Sequence, residues 1–128
     1  MALDVRRKFF KNRSQVMNDL AKTGLWPTTF VSPESPELPL HWHDVEVHTY
    51  VLEGSTYMVD GETGEQVPVE AGDKIVLPAG TLHAEGIVDE RVVYIVALPE
   101  ASNLEPLYRM HPPETGPSTS DSREDLTR

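Results

Sequence analysis

His41 and His43 flank Trp42, and His83 closes the segment Gly72-Asp73-Lys74-Ile75-Val76-Leu77-Pro78-Ala79-Gly80-Thr81-Leu82-His83; together they account for three of the five histidines in the chain. Side chains at i and i+2 of a β-strand point to the same face, so His41 and His43 present two imidazoles side by side. A third imidazole arriving on a separate strand completes three corners of a transition-metal shell. Glu85 stands at i+2 from His83 and shares its face if the strand runs on uninterrupted. A carboxylate there can accept a proton, bind a polar group of a substrate or complete the shell. Alternatively, the Glu85-Gly86 pair marks a bulge that turns the carboxylate out to water.

The surrounding pattern supplies the strands these residues need. Residues 5–23 read as a helix with Val5, Phe9, Val16, Met17 and Leu20 on one stripe and Gly24 as its stop; Ser14 can instead begin a second, shorter helix as its N-cap. From Leu25 onward the pattern changes to short β-rich runs at 26–31, 48–52, 56–59, 67–69, 74–77, 83–88 and 91–98. A Pro/Glu/Ser loop covers 32–39, and Asp60-Gly61-Glu62-Thr63-Gly64 forms a tight turn. Strands this close together with no helices between them indicate an antiparallel sandwich or barrel. Residues 111–128 are rich in Pro, Ser, Thr, Asp and Glu, with Leu126 their only large apolar side chain. Such a segment cannot bury enough surface to fold alone, and is either a flexible tail or held by a partner subunit. The expected organisation is a helical segment at 1–24, a β-domain at 25–100 and an extension at 101–128.

Composition narrows the function. A chain of 128 residues suits one domain with a real core. The absence of cysteine excludes disulfides, cysteine-based zinc fingers and thiol nucleophiles, and fits a reducing cytoplasm. Met1 to Lys8 lacks the apolar run of a signal peptide, and no stretch approaches the roughly 18 apolar residues of a membrane span. The net charge is −10, and residues 1–13 carry Arg6, Arg7, Lys8, Lys11 and Arg13 against Asp4 alone, so the rest is more acidic than the whole and repels a phosphate backbone. Nucleic acid and membrane are therefore not expected partners. Trp42 points opposite its histidine neighbours and reads as a packing residue. Tyr50, Tyr57 and Tyr94 either line a cavity or pack with a hydrogen-bonded hydroxyl, and His111 reads as a solvated side chain.

In these motifs the sequence resembles the cupin superfamily. Gly72, Pro78, Gly80 and His83 match the whole of the pattern G-x5-P-x-G-x2-H, with Ile87 in place of a final Asn; His41, His43 and Gly54 match the pattern G-x5-H-x-H-x3,4-E-x6-G, with Ser35 in place of its first Gly. The 17 residues between the motifs are compact, as in small single-barrel members. The resemblance implies an all-β fold, a double-stranded β-helix (jelly-roll) barrel, here with an N-terminal helix and a C-terminal tail. It implies a metal on His41, His43 and His83, and reverses the usual expectation that a strand histidine is structural. The family's glutamate ligand falls at position 47, which is valine. Three histidines then hold the metal alone, or a tighter turn swings in Glu46 as a fourth ligand; His48 is a further option.

Neutral imidazoles suit Fe(II), Mn, Ni, Zn or Cu. Three-histidine cupins similar to this arrangement include thiol dioxygenases and diketone-cleaving dioxygenases, and shells with an added glutamate occur in oxalate decarboxylases, quercetin dioxygenases and sugar isomerases. The first expectation is a metal-dependent enzyme acting on a small polar or carboxylate-bearing molecule, an Fe(II) dioxygenase with Glu85 or Glu46 as acid/base or fourth ligand. The alternatives are a non-catalytic ligand-sensing module and a metal-dependent decarboxylase or isomerase. A metal-free sugar-nucleotide isomerase is disfavoured by the scarcity of Lys and Arg in the barrel. An open barrel edge and a long tail suggest a homodimer formed by edge pairing or exchange of termini.

Overall fold

The computed structural model describes residues 2–100 and 105–116. Its elements in chain order are β1 (Asp4–Arg6), α1 (Arg13–Thr23), β2 (Trp26–Ser32), β3 (Val47–Glu53), β4 (Ser55–Asp60), β5 (Gln66–Glu70), β6 (Lys74–Leu77), β7 (His83–Glu85), β8 (Val92–Leu98) and α2 (Glu105–Tyr108), followed by a 3₁₀ turn at Pro113–Thr115. The strands form a five-stranded sheet in the order β1-β6-β3-β8-β2 and a three-stranded sheet in the order β5-β4-β7, every pairing antiparallel. The fold is thus mostly β, as the sequence pattern indicates, with two sheets and one substantial helix. No described helix is long and apolar enough to cross a membrane.

Alternation along the strands decides what each sheet faces. On β8, Val92, Tyr94, Val96 and Leu98 join Val47, Val51, Ile75 and Leu77 of the same sheet and Met58 and Val69 of the other in one inner cluster. The intervening Ile95 and Ala97 turn outward, where they meet Tyr50, Phe10 and the buried side of α1, Val16 and Leu20. Both faces of the large sheet are therefore covered. All seven residues of β8 are buried, which explains its continuous apolar sequence.

The N-terminal region departs from expectation. The single helix foreseen over 5–23 is instead β1, which pairs with β6 through Asp4↔Val76, and a shorter α1. Helical and strand spacing coincide for the few apolar residues of 5–12, and the pairing that selects the strand comes from a segment some 70 positions away. Asn12, not Ser14, is the N-cap: its side chain accepts from the Gln15 backbone N–H at 3.0 Å. Gly24 does end the helix, its N–H closing onto the Leu20 carbonyl at 3.1 Å.

Beneath α1 the outer face holds a buried cation. Lys74 is 1% exposed; its Nζ meets Asp19 Oδ2 at 2.5 Å and lies 5.0 Å and 5.1 Å from the ring centroids of Phe9 and Tyr50. The Tyr50 hydroxyl donates to the same Asp19 oxygen at 2.6 Å. A lysine this deep requires such partners, because an isolated buried charge is strongly unfavourable.

Candidate metal centre

His41 lies on a short extended run beside β7. It forms a backbone bridge with His83, each N–H donating to the other's carbonyl at 2.9 Å. The two imidazoles therefore stand opposite one another, 4.5 Å between ring centroids, and His43 comes to the same face two residues on, 5.1 Å from His41 and 5.3 Å from His83. The turn Pro78-Ala79-Gly80 brings His83 into place. Gly80, in the left-handed region at φ 85°, donates its N–H to the His43 carbonyl at 2.9 Å. All three histidines are buried, and one ring nitrogen from each lies within 4.8 Å of the others.

Each ring is oriented by a carbonyl. His41 Nδ1 donates to Pro39 at 2.7 Å, His83 Nδ1 to Thr81 at 2.9 Å and His43 Nδ1 to Arg109 at 3.3 Å. A neutral ring with its proton on Nδ1 leaves Nε2 as a bare acceptor, the state a metal ligand needs. Burial, reinforced by His83 and His41, pushes His43 down to about 4, outweighing the opposing influence of Glu85 and the Arg109 carbonyl, so this imidazole is neutral at physiological pH.

Glu85 turns into this cluster. Its Oε1 lies 3.3 Å from His41 Nε2 and its Oε2 3.2 Å from His83 Nε2. The bulge reading is set aside: Gly86 follows β7 directly, and a side chain there would sit 2.5 Å from the Tyr57 ring, so the tight passage takes a glycine without turning Glu85 away. Burial pushes Glu85 up, but the close approach and charge of the His41 and His83 rings outweigh it and hold the carboxyl well below the ordinary range. Reciprocally, Glu85 and the Pro39 carbonyl raise His41 against the desolvation that lowers it. His41 Nε2 and His83 Nε2 are buried with no hydrogen-bond partner. A carboxylate facing these nitrogens calls for a cation among them or a proton on a ring. The separations suit a cation, since ligand atoms about 2.1 Å from a common metal lie roughly 3.0–3.4 Å apart at adjacent positions. His41, His43 and His83 thus form a group that could hold a metal ion, with the Glu85 carboxylate beside two of them.

The other candidates lie elsewhere. Glu46 is half-exposed and accepts from His48 Nε2 at 2.7 Å, outside the cluster. Val47 occupies the inward position, 2% exposed, and alternation sends its neighbours Glu46 and His48 the other way. Neither residue is brought to the three histidines. Tyr50 belongs to the outer face; Tyr57 packs over Gly86 and donates to Glu37 at 2.6 Å.

The cluster opens into a cavity of about 380 Å³ between the sheets, walled mainly by apolar side chains including Phe30, Met58, Val96, Leu107 and Met110. No lysine or arginine lines it among the described residues. Tyr94 also lines it, 7% exposed and without a hydrogen-bond partner for its hydroxyl among the described residues; burial and then the charge of Glu85 push its phenol up to about 12.

Leu107, Tyr108 and Met110 come from the extension that composition alone marked as a tail. Trp42 and His111 exchange backbone hydrogen bonds at 3.0 Å, and their rings lie 4.5 Å apart. His111 is 15% exposed and 3.5 Å from Asp44, not a solvated side chain as expected. Residues 105–116 thus pack on the site through contacts distant in sequence, which composition does not reveal; the rest of the expected tail, with Leu126, lies outside the described residues.

The Cupin domain family matches residues 29–98. Among solved structures, the polyketide cyclase RemF from Streptomyces resistomycificus is 30% identical, with a TM-score of 0.50 over 62% of this chain and 57% of its own. A DUF861 family protein from Thermotoga maritima is 20% identical with a TM-score of 0.55, covering 75% of this chain and 98% of its own. The DMSP lyase DddQ from Ruegeria pomeroyi is 22% identical with a TM-score of 0.52, covering 62% of this chain and 40% of its own. The last two show the fold alone, and the chain spans little more than half the length of the cyclase. No curated protein matches the sequence.

Proposed function

The chain belongs to the cupin domain family, and from that premise we propose a metal-dependent enzyme that moves a proton on a largely apolar molecule with one oxygen-bearing end. The observation that carries this reading is the convergence of His41, His43, His83 and Glu85 at one end of an apolar cavity. The cavity suits an apolar body better than the small polar molecule expected from sequence, and no lysine or arginine among the described residues lines it to bind the substrate's oxygen. A metal held by His41, His43 and His83 would supply Lewis-acid polarisation of that oxygen and so acidify the adjacent C–H. Glu85 would accept the proton, the Tyr94 hydroxyl would donate to a substrate oxygen, and the apolar walls would exclude water. A polyketide cyclase is among the similar structures, at 30% identity over 62% of this chain.

Solvent deuterium exchange tests the reaction class with a panel of simple ketones. Aromatic ketones are incubated with metal-loaded protein in D2O and followed by NMR. Exchange next to the carbonyl should require metal and be lost in Glu85→Gln; exchange that persists in that variant contradicts the assignment.

The Fe(II) dioxygenase is the second reading, favoured by three histidine side chains beside a cavity walled mainly by apolar residues. Oxygen uptake dependent on iron and substrate distinguishes it. We also propose a homodimer through β2, the edge strand of the large sheet, whose Trp26 and Val31 are 55% and 50% exposed. Light scattering on the full chain tests it.

A further inference from the structure

The three histidines are not held alike. His41 and His83 each donate Nδ1–H to the carbonyl two residues earlier in the chain, Pro39 and Thr81. These hydrogen bonds are local and survive any rearrangement of distant chain. His43 depends instead on the carbonyl of Arg109, 66 residues away. The segment carrying that carbonyl is held in turn by the Trp42–His111 pair, with its two 3.0 Å backbone hydrogen bonds and rings 4.5 Å apart, and by Asp44, which stands 3.8 Å from the Arg109 guanidinium and 3.5 Å from His111. Trp42 and Asp44 immediately flank His43, so the whole anchorage converges on one ligand.

We infer that residues 107–111 are a positioning element for His43, and that docking of this segment and binding of metal are thermodynamically coupled. The inference rests on the metal reading above and adds a dependence that the histidines do not themselves imply. When the segment is docked, the Arg109 carbonyl keeps the proton on Nδ1 and aims Nε2 at the shared centre; when it lifts, His43 loses both tautomer and aim while His41 and His83 keep theirs. Coupling between two binding events is reciprocal, so whatever the docked segment adds to metal affinity, metal must return as docking. Leu107, Tyr108 and Met110 line the cavity, so the same docking also closes a wall of the substrate site.

Arg109 makes the segment its own reporter, because trypsin cleaves after it only when it is undocked. The full chain is digested with and without saturating Co2+, and the peptide starting at Met110 is quantified by mass spectrometry against cleavage after Arg91, on the loop before β8. Co2+ should slow cleavage at Arg109 at least several-fold more than at Arg91, which reports general stabilisation. In parallel, His111→Ala, checked for an unchanged circular dichroism spectrum, should weaken Co2+ binding about tenfold, the usual effect of removing an outer-shell support; Asp44→Asn should weaken it in the same direction. Stoichiometric Co2+ binding with no selective protection of Arg109 and undiminished affinity in both variants overturns the coupling and leaves the metal site standing. A wild-type chain that binds no Co2+ overturns both.

Discussion

Glu85 Oε1 faces His41 Nε2 across 3.3 Å, and neither atom has a proton to share when the imidazole is neutral with its hydrogen donated to Pro39. The contact is attractive only with a cation beside it or a proton on the ring. The second carboxylate oxygen repeats the relationship with His83 at 3.2 Å. A single carboxylate thus spans two imidazole nitrogens, an arrangement that a shared cation or a ring proton would stabilise.

If a cation is shared, Glu85→Gln removes the carboxylate charge while keeping the shape. Affinity for Co2+ or Zn2+, measured by competition with a chelator, should fall at least about tenfold. Equal affinity would remove Glu85 from the donor set and leave three histidines.

Tyr94→Phe deletes a hydroxyl on the cavity wall that has no hydrogen-bond partner among the described residues. Stability should change by less than about 1 kcal/mol, because no internal hydrogen bond is lost. Turnover or ligand affinity should fall about tenfold if the phenol donates to the substrate. A melting temperature that drops with activity unchanged would make Tyr94 a packing residue.

Asp19 reports on the pair beneath α1. Burial pushes its carboxyl up, but hydrogen bonds from Lys74 and Tyr50 and the Lys74 charge outweigh it and lower the group from 3.8. A depressed carboxylate contributes stability that is full above its ordinary value and is lost as pH falls from there through the depressed value. Asp19→Asn should cost about 3 kcal/mol near neutrality, because it leaves Lys74 buried and unpaired. In urea unfolding the gap between wild type and variant should hold down to about pH 4 and narrow below it. A gap constant to pH 2.5 would mean that the Asp19 charge is not what stabilises the pair.

Much of this was legible in the sequence. The strands at 26–31, 48–52, 56–59, 67–69 and 74–77 lie within or coincide with the observed β2 to β6, because alternation and turn residues act locally. Glu85 followed from two-residue parity with His83. What escaped was non-local. Nothing around Asp4 announces β6 as its partner, nothing around Lys74 announces Asp19, and the Pro-rich composition after residue 110 conceals a backbone bridge to Trp42. Glu46 failed for a local reason: Val47 already held the inward register.

The most direct test is elemental analysis of protein made without an affinity tag in medium containing iron, manganese, cobalt, nickel, copper and zinc. The account predicts about one transition-metal ion per wild-type chain and close to none in His43→Ala, with both chains folded by circular dichroism. Wild-type protein free of metal, or a His43→Ala chain with undiminished content, would contradict it.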